Sequence, residues 1–355
     1  MRVLIAPDSF GDTLSAVAAA GAIARGWSIG RPGDEIVIAP QSDGGPGFVD
    51  VLASRFGTLI TTPVLGPLGA GIDAQWLLDD RGDTPIAYIE CAQACGLHQL
   101  GGRPSPVTAV AATTRGVGLL VDAALKAGAT GIVVGLGGSS TTDGGRGMIE
   151  VLGGPEEALR RLSGIDVVAA SDVENPLLGE LGAATVFGPQ KGADPATVAG
   201  LEKTMTDWAA VLNGIAGRDV GVEPGAGAAG GLGAALLAVG GRRISGATVV
   251  AEATRRAEDV AVADLLITGE GKFDSQTLRG KVVSALNGEA RAAGIPTVVF
   301  AGQVTLEPAE ISAAGISAAY AIVDIAGSVE VAMNDADNQL GLLAEQAARS
   351  WDRAA

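Results

Sequence analysis

The segment ITGEGKFDSQT at 267–277 holds the densest chemistry in the chain. An apolar run of strand type leads into glycine-flanked Glu270, followed by Lys272, Asp274, Ser275 and Gln276. Two carboxylates and a lysine in a turn at the carboxyl end of a strand can hold a metal ion and a phosphate, or position a hydroxyl for transfer. A polar turn closed by its own ion pair is the plainer reading. Asp8 and Ser9, after the first apolar run, and Asp172, after VVAAS, occupy similar strand-end positions. If those strands are parallel, the acids converge on one sheet edge.

A second constellation is GLGGSSTTDGGRG at 135–147. Gly137 and Gly138 let backbone N–H groups face an anion, and the hydroxyls of Ser139, Ser140, Thr141 and Thr142 could complete a polyphosphate cradle. Asp143 is a candidate metal ligand. The pattern is echoed: SDGGPGFVDVL at 42–52 and TDGGRGMIEVLG at 142–153 both read polar-Asp-Gly-Gly-x-Gly before an apolar helix start. Asp43, Gly44 and Gly45 therefore join the candidate site. One such loop alone is better read as an Asp N-cap beside a tight turn; two in different surroundings favour function. Only five lysines are present, and Lys191, Lys272 and Lys281 lie in glycine-rich loops. There a lysine can pair with a phosphate or a substrate carboxylate, with surface solvation an equal alternative. Lys126 and Lys203 sit in helical patterns and read as solvated. No P-loop pattern occurs. Gly135-x-Gly137 lacks the third dinucleotide glycine, because position 140 is Ser140.

The elements that position these residues alternate strand and helix at both ends. Apolar runs at 3–6 and 35–39 flank an Ala-rich helix at 17–27, and runs at 264–271, 296–302 and 318–324 alternate with helical stretches. Between 59 and 90, alternating runs broken by GPLGAG and DDRGDT predict hairpins. A helix at 114–126 precedes a strand at 131–138. Another strand is expected at 165–172 and a solvated amphipathic helix at 195–212. The expectation is an α/β protein of two domains. One, from 1–60 and 255–355, carries a mainly parallel Rossmann- or flavodoxin-like sheet built from both termini. The other, 61–254, is inserted and carries a mixed sheet.

The chain has 355 residues, 47% of them apolar, and a net charge of −16. Such a surface repels nucleic acid and anionic membrane, and 3% aromatics leave few stacking platforms, so neither partner is expected. The single histidine, His98, without a G-x-S-x-G turn, argues against a Ser-His-Asp hydrolase. Cys91 and Cys95, four apart in an apolar stretch, read as reduced core thiols. With no export signal visible, they point to the cytoplasm.

IAPDSF at 5–10, LSA at 14–16, SDGGPG at 42–47, GLGGSSTTDGG at 135–145, DVENPLLG at 172–179, FGPQKGA at 187–193, PGAGAAGGLGAAL at 224–236 and ITGEGKFDSQTLRGK at 267–281 follow one another as they do in the type I glycerate kinase family, which this chain resembles over nearly its whole length. The resemblance implies ATP-dependent phosphorylation of D-glycerate, usually at the 2-hydroxyl, by a two-domain α/β protein whose active site lies in the cleft. ATP and Mg²⁺ are the implied cofactors, and a short hydroxy acid is the substrate class. Candidate acids are Asp43, Asp172 and Asp274, with the base unassigned. Candidate cations are Arg115, Lys191, Lys272 and Lys281. Asn175 and Glu270 belong to matching strings, and Asp143, Asp172 and Glu270 are candidate metal ligands. The chain departs from the family at Gly11, usually lysine, at Pro46, usually glutamate, and at Thr142 and Arg146. A homologue with another hydroxy-acid substrate, or one that binds without turnover, is the alternative; a nicotinamide oxidoreductase ranks far behind. The oligomeric state is left open, a homodimer included.

Overall fold

Uninterrupted apolar runs are what a parallel sheet covered on both faces requires, and they supply most of the strands. The computed structural model describes residues 1–11, 13–279 and 282–351. Lys281 lies outside the described residues. The strands are β1 (Arg2–Ile5), β2 (Glu35–Ile38), β3 (Thr58–Leu65), β4 (Gly71–Asp79), β5 (Ile86–Glu90) and β6 (Gly131–Gly135). They continue with β7 (Asp166–Ala170), β8 (Arg242–Ile244), β9 (Leu265–Phe273), β10 (Thr297–Val304) and β11 (Ala318–Ala321).

Two units form. The first joins Met1–Ser42 to the chain from Val250 onward. Its five strands are all parallel, in the order β2-β1-β9-β10-β11. Renumbered within the unit this is 2-1-3-4-5, the flavodoxin-like order, whose direction reverses between β1 and β9. Helix Ala16–Gly30 starts where the Ser15 hydroxyl accepts from the Ala18 N–H. It packs against helix Ala336–Ser350, burying Ile23 and Trp27 with Val3, Ile5, Ile267, Phe300 and Leu340. Arg256, buried, donates to Gln41 and pairs with Glu289, tying the two segments of this unit together.

The second unit, Asp43–Val249, carries six strands in the order β3-β4-β5-β6-β7-β8. β3, β4 and β5 are antiparallel, as the hairpin pattern predicts, and β5 to β8 run parallel. The units divide at 42–43 and 249–250 rather than near 60 and 255, for a physical reason. The short helix Phe48–Ala53 buries Phe48, Val49, Val51 and Leu52, Phe48 meets the Tyr88 ring on β5, and the 43–47 loop hydrogen-bonds to the mixed sheet's strand ends.

Candidate active site

In the second unit the parallel strands end level. Glu90 pairs in register with Gly135, Gly135 with Ala170, and Ala170 with Ile244. The first Asp-Gly-Gly loop lies across this row. Gly137 N donates to Gly44 O at 3.0 Å. A Cβ at Gly137 would stand 2.3 Å from the Gly45 Cα, and one at Gly246 only 1.9 Å from the Asp43 carbonyl oxygen. Close backbone approach thus demands glycine at 137 and 246, and it places the loops of Asp43, Ser139 and Asp172 in one packed edge.

Asp43 and Asp172 are brought together there. The Asp43 carboxylate accepts from Gly45 N at 3.0 Å. Asp172 faces solvent on one side but is screened on the other. Its carboxyl is held above the ordinary range, first by partial burial and next by the charge of Asp43, against opposing hydrogen bonds from Ser245 and Gly246. It is thereby a better proton acceptor than a solvated aspartate.

Lys191 lies behind the second glycine loop, 2% exposed, its Nζ donating to Ser139 Oγ at 3.0 Å and to Thr141 O at 2.6 Å. Among the described residues no carboxylate pairs with it. Burial pulls its ammonium down to about 8, while nearby Cys95, Cys91 and Asp143 partly restore it. A lone buried cation is costly, and here it supplies positive charge at the base of an anion loop. The four-hydroxyl cradle needs correction: Ser140 Oγ donates to Cys95 O and Thr141 Oγ1 points to Cys95 Sγ, so both hydroxyls are turned into the protein. Cys91 and Cys95 are free and buried. The hydrogen bond between them, with burial, raises the Cys91 thiol well above its ordinary value.

Asp143 does not fit a metal ligand. Its Oδ2 accepts from Thr113 Oγ1, Thr114 N, Thr114 Oγ1 and Gly147 N at 2.8–3.2 Å, and its Oδ1 from Gly145 N at 3.1 Å. These bonds pin the loop to helix Arg115–Lys126. Asp143→Ala should therefore destabilise the second unit by about 3–4 kcal/mol, lowering its Tm by roughly 10 °C. A metal-binding role would instead cost activity with little change in Tm, and thermal melting separates the two. Arg115 spends its guanidinium on Glu150 at 2.6 Å, and Asn175 Nδ2 donates to Leu181 O within its own loop. Neither is drawn to the Asp43–Asp172 edge by those bonds.

In the first unit the order reverses between β1 and β9, and ligands in such sheets bind at that carboxyl edge. Asp8 and Ser9 follow β1 there, with Asp8 N donating to Gly269 O at 2.8 Å, and Glu270 lies buried on β9. Lys272 is not in a turn: β9 runs on to Phe273, with Lys272 in register with Gln303 of β10. It is 57% exposed, its Nζ 3.5 Å from Asp274. Asp274 is held below the ordinary range chiefly by the Gln276 N–H, which it accepts at 2.8 Å; Gln276 itself is exposed.

Among the described residues no three His, Cys, Asp or Glu side chains form a metal cage. The Asp43–Asp172 pair suits Mg²⁺ only in the way kinases hold it, with one or two carboxylates completed by substrate phosphates. The sequence reading missed Glu90, a buried carboxylate at the end of β5. Its single acidic letter closing an apolar strand, YIE, is the one signal that marks it.

Residues 3–156 and 154–352 match the model of the glycerate kinase family. An uncharacterized protein of Mycobacterium bovis is 59% identical over 350 residues, covering 98% of this chain and 91% of the relative. The glycerate 2-kinase of Escherichia coli is 37% identical over 363 residues, covering 95% and 94%. A crystal structure from Salmonella typhimurium LT2, described as glycerate kinase 2, superposes with a TM-score of 0.78 at 34% identity, covering 98% and 97%. On the family match and these full-length likenesses, this chain belongs to the glycerate kinase family and is a kinase with ATP as its phosphate donor.

Proposed function

We propose that this kinase phosphorylates D-glycerate at the 2-hydroxyl, giving 2-phosphoglycerate and ADP, and that it works in the cytoplasm with Mg²⁺ accompanying the nucleotide. The observation that carries the reading is the packed strand-end row of the second unit. It combines a lysine-backed glycine loop with an aspartate pair, in a chain 37% identical to the E. coli glycerate 2-kinase. Asp172 takes the hydroxyl proton. The hydroxyl oxygen bonds to the γ-phosphorus as the bond to the β–γ bridging oxygen breaks, and ADP leaves with that oxygen. Lys191 and the backbone dipoles of the loop offset phosphate charge. Asp43 would hold Mg²⁺ together with the substrate phosphates, and the ion would supply charge neutralisation for the phosphoryl group.

Lys272, on β9 of the first unit, is assigned a charge contact with a phosphate or carboxylate group. Lys272→Met should lower kcat/KM about tenfold to a hundredfold, the loss of one charge-assisted contact. Its Tm should stay within a few degrees, since an exposed Lys–Asp pair contributes little to stability. Near-full activity would make this strand end structural.

A second reading, another short hydroxy acid, is favoured by Pro46. Its ring lies against Gly138 where the family usually has a glutamate. Coupled ADP release across D-glycerate, tartronate, lactate and hydroxypyruvate tests both. D-glycerate should give the highest kcat/KM, preference for another acid moves the assignment, and no turnover with any of the four defeats both.

A further inference from the structure

Glu90 is a buried ionisable side chain that the mechanism leaves unused. It ends β5, 2% exposed, directly beside Gly135 in register. Its Oε2 accepts from Gly47 N at 3.0 Å and from Val49 N at 3.3 Å. Those N–H groups open the helix Phe48–Ala53, immediately after the Asp43–Gly47 loop. Pro46 has no N–H, so Gly47 offers the first donor beyond the loop's proline, and Glu90 takes it. A Cβ at Gly135 would stand 2.9 Å from Gly44 O, so the loop is also pressed onto the strand beside Glu90.

We infer that Glu90 is a positioning residue: its carboxylate anchors the Asp43–Gly47 loop to the strand ends, and the loop loosens when that charge is lost. The inference rests on the proposed role of Asp43 for its effect on catalysis, though not for its effect on the loop. No cation pairs with Glu90 among the described residues. The titratable groups facing it are Asp50, from the helix it caps, and Cys91, next to it in the chain; β6 presents only Gly135. Burial, reinforced by Asp50 against the backbone N–H donors, lifts its carboxyl to about 7. A protonated carboxyl is a weaker acceptor for a helix N-terminus than a charged one, so the anchor weakens as the pH falls through neutrality.

The test is amide hydrogen exchange on peptides covering 44–49, corrected for intrinsic exchange, with kcat/KM measured in parallel. Wild-type protection of these amides should rise about tenfold from pH 6 to pH 8. In Glu90→Gln it should be lower at pH 8 and flat with pH. That variant should lose about tenfold in kcat/KM, mostly through KM, together with its pH dependence near 7. Glu90→Asp, which keeps the charge on a shorter arm, should partly restore the pH dependence. If Glu90→Gln does not fold, the wild-type and Glu90→Asp exchange profiles decide. Protection independent of pH in wild type, or unchanged in Glu90→Gln, overturns the inference. If no form turns over D-glycerate but the exchange results hold, the anchor stands and the substrate reading fails.

Discussion

Lys191→Met should cut kcat/KM by two to three orders of magnitude while the protein melts close to wild type. Two hydrogen bonds from a charged donor, to Ser139 Oγ and Thr141 O, are each worth about 1.5–3 kcal/mol. Removing the positive charge behind the loop, an electrostatic contribution of about 2.7–4 kcal/mol at the transferring phosphate, accounts for the rate. Stability behaves differently, because lowering a lysine from 10.5 to about 8 costs the charged folded state about 3 kcal/mol. Methionine removes that cost along with the bonds. The pH dependences of activity and stability are opposed. Between about 8 and 10.5 the unfolded chain holds a proton on Lys191 that the folded chain does not, so stability from this group rises with pH. Activity should fall over the same range as Lys191 loses its charge. Activity profiles and melting curves from pH 7 to 10 check both. Wild-type turnover in Lys191→Met would leave the loop without its proposed charge.

Asp172→Asn should lose a hundredfold to a thousandfold in kcat with KM within about threefold, the usual contribution of a positioned proton acceptor. Because Asp43 helps hold the Asp172 carboxyl up, Asp172 should give the kcat profile an acid limb that moves to lower pH in Asp43→Asn, and, on the proposed metal role of Asp43, that variant should need more Mg²⁺ for half-maximal rate. An acid limb that stays in place in Asp43→Asn would assign it to another group.

Much of the scaffold is legible in the sequence because its signals are local. The runs around Leu265 and Val298 have no polar face to expose, and the turns at 66–70 and 80–85 interrupt an alternating pattern, so strands and hairpins follow from short windows. The glycine loops are legible for the same reason. What the letters do not encode is direction and distant pairing. Ser140 and Thr141 look like a phosphate cradle until Cys95 claims their side chains. Asp143 looks like a metal ligand until Thr113 and Thr114, some thirty residues away, fill its oxygens. Lys272 reads as a turn residue because glycines surround it, yet pairing with β10 keeps it in a strand. Glu90 acts on amides more than forty residues away, and no spacing rule reaches that far.

Phosphorus NMR of the purified protein with ATP, Mg²⁺ and D-glycerate reads the transfer and its position together. The ATP γ-phosphorus signal should fall in an enzyme-dependent way, with matched growth of ADP and of the phosphomonoester resonance of 2-phosphoglycerate. A 3-phosphoglycerate signal would contradict the assigned hydroxyl, and ATP that stays intact would contradict the phosphorylation of D-glycerate itself.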